Sequence, residues 1–321
     1  MSTKATKSLI ITPEDFESHK RLDQYLAHQL SQFSRNQIKS FFTDNLFTST
    51  FKLELKKMPP SGTEIIFNPP TLKETQIEPQ NIPLHILYED EHLIVLNKPA
   101  GLVVHPAPGN WDGTLVNALL FHCKDLTGIG HEKRPGIVHR LDKGTSGVMV
   151  AAKSHLAHQG LIELFSQHNI QREYQALIIG RGLEQFKKVS TTIGRSPNNR
   201  LKMQADIKNG KEAITYFKLK ESFQNIHHIN CKLETGRTHQ IRVHCSQVLN
   251  HPILMDPLYA NTKQHLDRIP SDLQPLLTDY NYPLLHARLL GFIHPITKKE
   301  LLFTQEPPFP FNNVLEILRQ H

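Results

Sequence analysis

The segment that most constrains this chain is Ile137-Val138-His139-Arg140-Leu141-Asp142-Lys143-Gly144-Thr145-Ser146-Gly147-Val148-Met149-Val150. Apolar β-formers flank a polar centre that holds one carboxylate, two glycines and two small hydroxyl residues. The pattern predicts a strand that breaks at a tight turn carrying Asp142 and then resumes. A carboxylate fixed between buried strands can be held in one geometry and kept ionised by a nearby cation. Arg140 lies two positions before Asp142, so an extended backbone turns both to one face. The same residues would also suit an aspartate that merely caps a turn.

The rest of the chain narrows the setting. Its 321 residues suffice for two domains. Hydrophobic residues make up 38 % and charged residues 21 %, the balance of an ordered chain rather than a disordered one. The net charge of +7, with 20 histidines uncounted, favours polyanionic partners. Cys123, Cys231 and Cys245 form no C-x-x-C pair, so neither a zinc knuckle nor a disulfide framework is expected. Leu9-Ile10-Ile11 is too short for a signal h-region, and no stretch nears the roughly 20 apolar residues of a membrane helix. The expected location is cytoplasmic, with no membrane association.

Residues 7–68 read as a small α+β module. Strands are expected at Ser8–Thr12, Phe47–Leu55 and Thr63–Asn68, the last two joined by Pro59-Pro60-Ser61-Gly62. Leu22, Tyr25, Leu26 and Leu30 recur at helical spacing. Ser34 and Gln37 form a capping-box pattern that opens a second helix with Ile38, Phe41 and Phe42 inward. Residues 69–83, with four prolines, read as an extended linker.

From 84 to 321, strand and helix patterns alternate irregularly. Strands are expected at Leu93–Asn97, Arg172–Gly180, Thr215–Lys220 and His228–Glu234, with a hairpin around His294-Pro295-Ile296-Thr297. Helices are expected at Thr114–Phe121 and, capped by Ser154, through about His168 with Leu156, Leu161, Leu164 and Phe165 apolar. After Thr235-Gly236-Arg237-Thr238 a helix would place His239, Arg242 and Ser246 on one face, and Ile241, Cys245 and Val248 on a core face. The mixture is not a regular βαβ alternation, so the fold class is α+β.

Four segments, in order, carry a family resemblance. They are Leu96-Asn97-Lys98-Pro99-Ala100-Gly101-Leu102-Val103-Val104-His105-Pro106; His139-Arg140-Leu141-Asp142 with Thr145-Ser146-Gly147; Arg172-Glu173-Tyr174-Gln175-Ala176-Leu177; and Leu233-Glu234-Thr235-Gly236-Arg237-Thr238-His239-Gln240-Ile241-Arg242-Val243-His244. Together they resemble the RluA-type pseudouridine synthases over about residues 84–308, and are most similar to the members that modify large-subunit ribosomal RNA. The resemblance implies a mixed, largely antiparallel sheet with a central cleft. It also implies a cofactor-free isomerisation, in which uracil leaves C1′ through N1, turns and rejoins through C5.

What the resemblance implies for single residues is specific. Asp142 is the essential carboxylate, adding to C6, attacking C1′ or removing a sugar proton. Tyr174 lies against the target uracil, where an aromatic face under a base contributes roughly 1–3 kcal/mol. Arg242 pairs with Asp142. Arg140 helps displace the nucleotide, against an unstacking cost of about a few kcal/mol. Apart from the resemblance, the helix face that carries His239 is expected to look into the cleft toward RNA, and Arg237 is expected to meet RNA phosphate. Lys98-Pro99 and His105-Pro106 take a structural place beside the cleft. The partner is RNA, with large-subunit ribosomal RNA favoured, and the type is commonly monomeric.

In the first module, Arg21-Leu22-Asp23-x-x-Leu26 and Ser34-Arg35-x-x-Ile38 are similar to the S4 RNA-binding module. That likeness implies phosphate contacts by Arg21, Arg35 and Lys39. The chain departs from it at Asp44-Asn45-Leu46-Phe47-Thr48-Ser49-Thr50, where the module carries Gly-x-Val-x-Val-Asn-Gly.

Other chemistries fit less well. The histidines lack an H-E-x-x-H arrangement, so no metal is expected. H-x-E with P-C-x-x-C, as in base deaminases, is missing. Gly144-Thr145-Ser146-Gly147 is not a hydrolase elbow. The competing reading is a non-catalytic RNA-binding or ribosome-assembly protein that retains the fold; the presence of Asp142, Tyr174 and Arg242 together favours the enzyme.

Overall fold

The structure, a computed structural model, describes residues 6–30, 35–68, 77–107, 109–124, 126, 128–131 and 134–320. The chain divides into two compact units, Met1–Gln76 and Ile77–His321.

The smaller unit contains β1 (Lys7–Ile10), α1 (Pro13–Ser18), α2 (Leu22–Gln29), α3 (Arg35–Thr43), β2 (Phe47–Thr48) and β3 (Glu64–Phe67). Its antiparallel sheet runs β1-β3-β2. The helical spacing noted in the sequence forms its core: Leu22, Tyr25, Leu26 and Leu30 are buried with Ile38, Ile65 and Phe67. Each such side chain contributes about 1.5–3 kcal/mol on burial. α1 was not expected, although Thr12 and Asp15 make a capping box at its start. The expected box at Ser34 lies outside the described residues. The expected strand Phe47–Leu55 shrinks to two residues, because the Ser49 hydroxyl donates to the Glu64 carbonyl and so displaces the ladder.

The larger unit runs β4 (Ile86–Glu89), β5 (Leu93–Lys98), α4 (Leu115–His122), β6 (Gly130–His131), β7 (Arg134–Pro135), β8 (Ser146–Ala152), α5 (His155–Ser166), β9 (Gln171–Ile179), β10 (Phe186–Arg195), β11 (Met203–Ala205), β12 (Lys211–Phe223) and β13 (Ile226–Leu233). Then come α6 (Gln240–Val243), which continues as a π-helical turn at His244–Val248, α7 (Thr262–Leu266), a 3-10 turn at Ser271–Leu273 and α8 (Gln274–Leu277). β14 (Leu285–Ile293), β15 (Glu300–Thr304) and α9 (Phe311–Leu318) complete it. One ten-stranded sheet has the order β11-β10-β12-β13-β9-β14-β8-β5-β4, with β15 also on β14. β14 and β8 pair parallel and the other neighbours antiparallel, so the sheet is mixed and largely antiparallel, as the resemblance implied. β8 is buried along its whole length, which is why it reads as a continuous apolar run.

Several expected details differ. The first strand of the 137–150 pattern does not form; Ile137 makes only an isolated bridge to Ala151. There the Val150 amide donates to His139 Nε2 at 3.1 Å, so a side chain takes the ladder position and the chain leaves the sheet. Leu156, one of the apolar positions of α5, is 66 % exposed. Residues 77–83 of the expected linker belong with the larger unit: the Gln80 amide donates to the Asn117 carbonyl, and Asn117 Nδ2 to the Glu78 carbonyl.

Candidate active site

Asp142 lies in a turn closed by the Thr145 amide, which donates to the Asp142 carbonyl at 3.0 Å. Two neighbours hold the turn. The Gly101 amide donates to the Lys143 carbonyl at 2.7 Å. The Lys98 ammonium, fully buried, donates to the carbonyls of Pro99, Leu102 and Lys143. Burial pulls the Lys98 pKa down to about 7, with Asp142 opposing. The turn then runs into β8 at Ser146 and Gly147, beside His286 and Ala287 of β14. Gly147 has φ +121, and a Cβ there would collide with the Ala287 backbone, so only glycine allows this approach.

β9 brings Tyr174 to the same place. Tyr174 sits opposite Ala287 on one side and Cys231 on the other. It is almost fully buried, and burial pushes its hydroxyl up to about 12, so it stands as a protonated phenol near neutral pH.

The third wall comes from the segment after β13. Gln240 organises it: its Oε1 accepts from the Thr235 hydroxyl and the Arg237 amide, and its Nε2 donates to the Ile214 carbonyl. The expected helix beginning before His239 is corrected here. His239 is the residue preceding α6, in the left-handed conformation at φ 57, ψ 19, so it does not share a helix face with Arg242. Val248, expected in the core, is exposed, because the π-helical turn rotates it outward. Ile241 and Cys245 are buried as expected.

Arg242 is buried and lies between two carboxylates. Its Nε and Nη2 donate to Asp256 Oδ2 and Oδ1 at 2.7 and 2.8 Å, and its Nη1 donates to Asp142 Oδ2 at 3.2 Å. Burial alone would lower its pKa; Asp256 and Asp142 outweigh that and raise it. His239 Nε2 faces the same Asp142 oxygen at 3.8 Å. A cavity of about 60 Å³ is lined by Arg140, Asp142, Tyr174, Arg237, His239 and Arg242, so six of the residues singled out in the sequence converge. Arg140 is exposed at its mouth. The Arg237 Nε donates to the Glu212 carbonyl at 2.8 Å.

Arg21, Arg35 and Lys39 lie in the smaller unit. Arg21 forms a two-bond pair with buried Asp23 at 3.0 and 3.1 Å, and Lys39 is exposed on α3. The Arg35 side chain lies outside what is described.

Asp256 and Tyr259 are the site residues that sequence reasoning missed. Asp256 is fully buried and bonded to Arg242. A signal was present: Ile253-Leu254-Met255 runs straight into Asp256, and an acid at the end of a buried apolar run needs a cation.

A larger groove of about 1310 Å³ lies on the other face of the sheet, lined by Glu173, Tyr216, Lys218 and Lys232. Glu173 and Tyr174 are neighbours on one strand and so face opposite ways. Converging charge, not size, marks the site. Among the described residues, Glu89, His122 and Cys123 bring three metal-ligating atom types within 4.8 Å. Lys153 already sits on that glutamate at 2.6 Å.

A buried guanidinium that presents one carboxylate beside a strand tyrosine, on a mixed α+β sheet, defines a pocket for acid–base or nucleophilic work by a single aspartate. Comparison with known proteins gives the family. Residues 92–247 match the RNA pseudouridylate synthase family. A ribosomal large subunit pseudouridine synthase D of Zymomonas mobilis is 42 % identical over 297 residues, covering 90 % of each chain. An uncharacterized RNA pseudouridine synthase of Aquifex aeolicus is 40 % identical over 308 residues, covering 94 % of each. Among solved structures, the human RNA pseudouridylate synthase domain containing 4 superposes with a TM-score of 0.57 at 28 % identity, over 73 % of this chain and 93 % of that one. The chain belongs to the RNA pseudouridine synthase family, and its activity is the isomerisation of uridine to pseudouridine in RNA. Among the described residues, no helix is long and apolar enough to cross a membrane.

Proposed function

We propose that this protein isomerises defined uridines of large-subunit ribosomal RNA, with Asp142 as the essential carboxylate. One observation carries the reading: Asp142 Oδ2 is held by the buried Arg242 at 3.2 Å in a cavity that Tyr174 also lines. The ribosomal substrate is supported by relatives named for that activity, including one of Vibrio vulnificus that is 40 % identical over 311 residues.

In this reading Tyr174 stacks on the uracil, and Arg242 fixes the carboxylate. Arg140 at the mouth takes the place of the displaced base, stacking its guanidinium to offset part of the unstacking cost. Arg237 and His239 meet the RNA around the target. The smaller unit acts as an S4-like RNA-binding domain through Arg21, Arg35 and Lys39. The protein works as a cytoplasmic monomer and uses no cofactor.

The test is a map of pseudouridine at single-nucleotide resolution in total RNA from cells with and without the chain. Loss of signal at defined uridines of large-subunit ribosomal RNA is the expected result. Loss confined to transfer RNA would overturn the substrate assignment, and an unchanged map would overturn the reading as a whole.

A further inference from the structure

Two nitrogens face one oxygen of Asp142. Arg242 Nη1 lies 3.2 Å and His239 Nε2 lies 3.8 Å from Oδ2. Both of these approaches to the carboxylate are made to Oδ2. The two oxygens of this carboxylate are therefore not equivalent.

The state of His239 follows from its other nitrogen. The Met203 amide donates to the Tyr259 hydroxyl oxygen at 2.7 Å. That hydroxyl keeps its own proton to donate, and His239 Nδ1 lies 2.8 Å away. Burial disfavours the cationic imidazole. A neutral imidazole has one donor and one acceptor nitrogen. If Nδ1 accepts from Tyr259, then Nε2 carries the hydrogen and directs it at Asp142. The opposite tautomer would set a bare Nε2 lone pair against a carboxylate oxygen and leave the tyrosine proton without an acceptor there.

Tyr259 also touches the other donor. The Arg242 guanidinium lies over its ring at 5.1 Å, and the His239 ring meets it edge-on at 5.6 Å and 83°. The Tyr259 amide donates to Asp256 Oδ1, the same carboxylate that grips Arg242. One aromatic residue thus seats both groups that face Oδ2. The left-handed backbone of His239, uncommon at a non-glycine residue, aims the imidazole across this gap.

We propose that Tyr259 is a positioning residue: it fixes His239 as the Nε2–H tautomer and seats Arg242, so that both donors secure Asp142 Oδ2 and leave Oδ1 as the oxygen presented to the uridine. The proposal rests on Asp142 being the essential carboxylate. His239 thereby gains a defined task, orienting the reactive acid, in addition to any contact with RNA.

The test uses the full chain and an unmodified transcript of bacterial large-subunit ribosomal RNA, tritiated at uracil C5. Rejoining through C5 releases that tritium to water. Nitrogen chemical shifts of histidine-labelled protein, with His239 assigned by its loss in His239→Gln, report the tautomer. The expected result is a neutral Nε2–H ring at pH 7.5. Tyr259→Phe is expected to lose that preference and lower kcat about tenfold, on the scale of residues that orient a reacting group through one contact, with KM little changed. His239→Gln retains a donor near the Nε2 position and is expected to exceed His239→Ala in kcat. A wild-type ring protonated at Nδ1, or an unchanged kcat in folded Tyr259→Phe, overturns the proposal. If thermal melting shows Tyr259→Phe to be unfolded, the wild-type tautomer and the His239→Gln to His239→Ala order decide, and equal kcat in those two overturns it. Full activity of Asp142→Asn is a separate outcome, which removes the underlying assignment whatever the tautomer.

Discussion

Arg242 gives two of its three nitrogens to Asp256 and the remaining one to Asp142. The edge formed by Nε and Nη2 matches a carboxylate bidentately, so Asp256 sets the plane of the guanidinium and Nη1 is aimed as a consequence. A lysine at position 242 would supply charge without that plane.

Removing Asp256 leaves a buried cation without its main partner. Asp256→Ala is expected to lower stability by about 3–5 kcal/mol and to abolish turnover in whatever fraction folds. Urea denaturation alongside the tritium assay checks both. A variant of near wild-type stability would show that the pair carries little of the local structure.

Gly147 lets the Asp142 turn lie against β14. Gly147→Ala combines an unfavourable φ with a clash against Ala287, and is expected to cost at least about 1–3 kcal/mol. Thermal melting reads the loss. An unchanged melting temperature would mean that β8 and β14 separate there at no cost.

Buried histidines make the fold acid-sensitive. His244 and His286 are fully buried, and burial pulls each down to about 4. The Ser146 hydroxyl lies 2.8 Å from His286 Nδ1, and the Gln305 carbonyl lies 3.0 Å from Nε2. The unfolded chain binds a proton at each near pH 6.5 while the folded chain does not, so stability is full above that pH and falls as pH drops toward 4. For His286 alone the loss by pH 5 is about 2 kcal/mol. Melting at pH 7.5 and pH 5 measures it, and His286→Gln should flatten part of the difference. Equal melting temperatures in the wild type would contradict the account.

The net charge of +7 and the cleft arginines imply phosphate-led binding. RNA affinity is expected to fall steeply between about 50 and 200 mM salt. Filter binding across that range checks it, and a flat response would count against Arg140 and Arg237 as RNA contacts.

Asp142, Tyr174 and Arg242 were legible because each sits in a segment of recognisable form. The pairing of Arg242 with Asp142 followed from resemblance, and the distance of 3.2 Å agrees with it. Asp256 and Tyr259 were not legible in role, because their contacts to Arg242 and His239 cross a π-helical turn that no periodicity announces. The position of His239 was misread for a related reason, since a left-handed residue is uncommon outside glycine and leaves no periodic signal in the sequence. β10 went unseen because only Val189 and Ile193 are buried along its ten residues, leaving a strand that looks polar in sequence.

The most direct test of the central claim is Asp142→Asn assayed for tritium release and RNA binding together. The substitution keeps the shape of the side chain and removes its charge. The expected result is RNA affinity and melting temperature close to wild type, with no pseudouridine formed even in single-turnover conditions. Pseudouridine formation at the wild-type rate would contradict the account and move the chemistry away from Asp142.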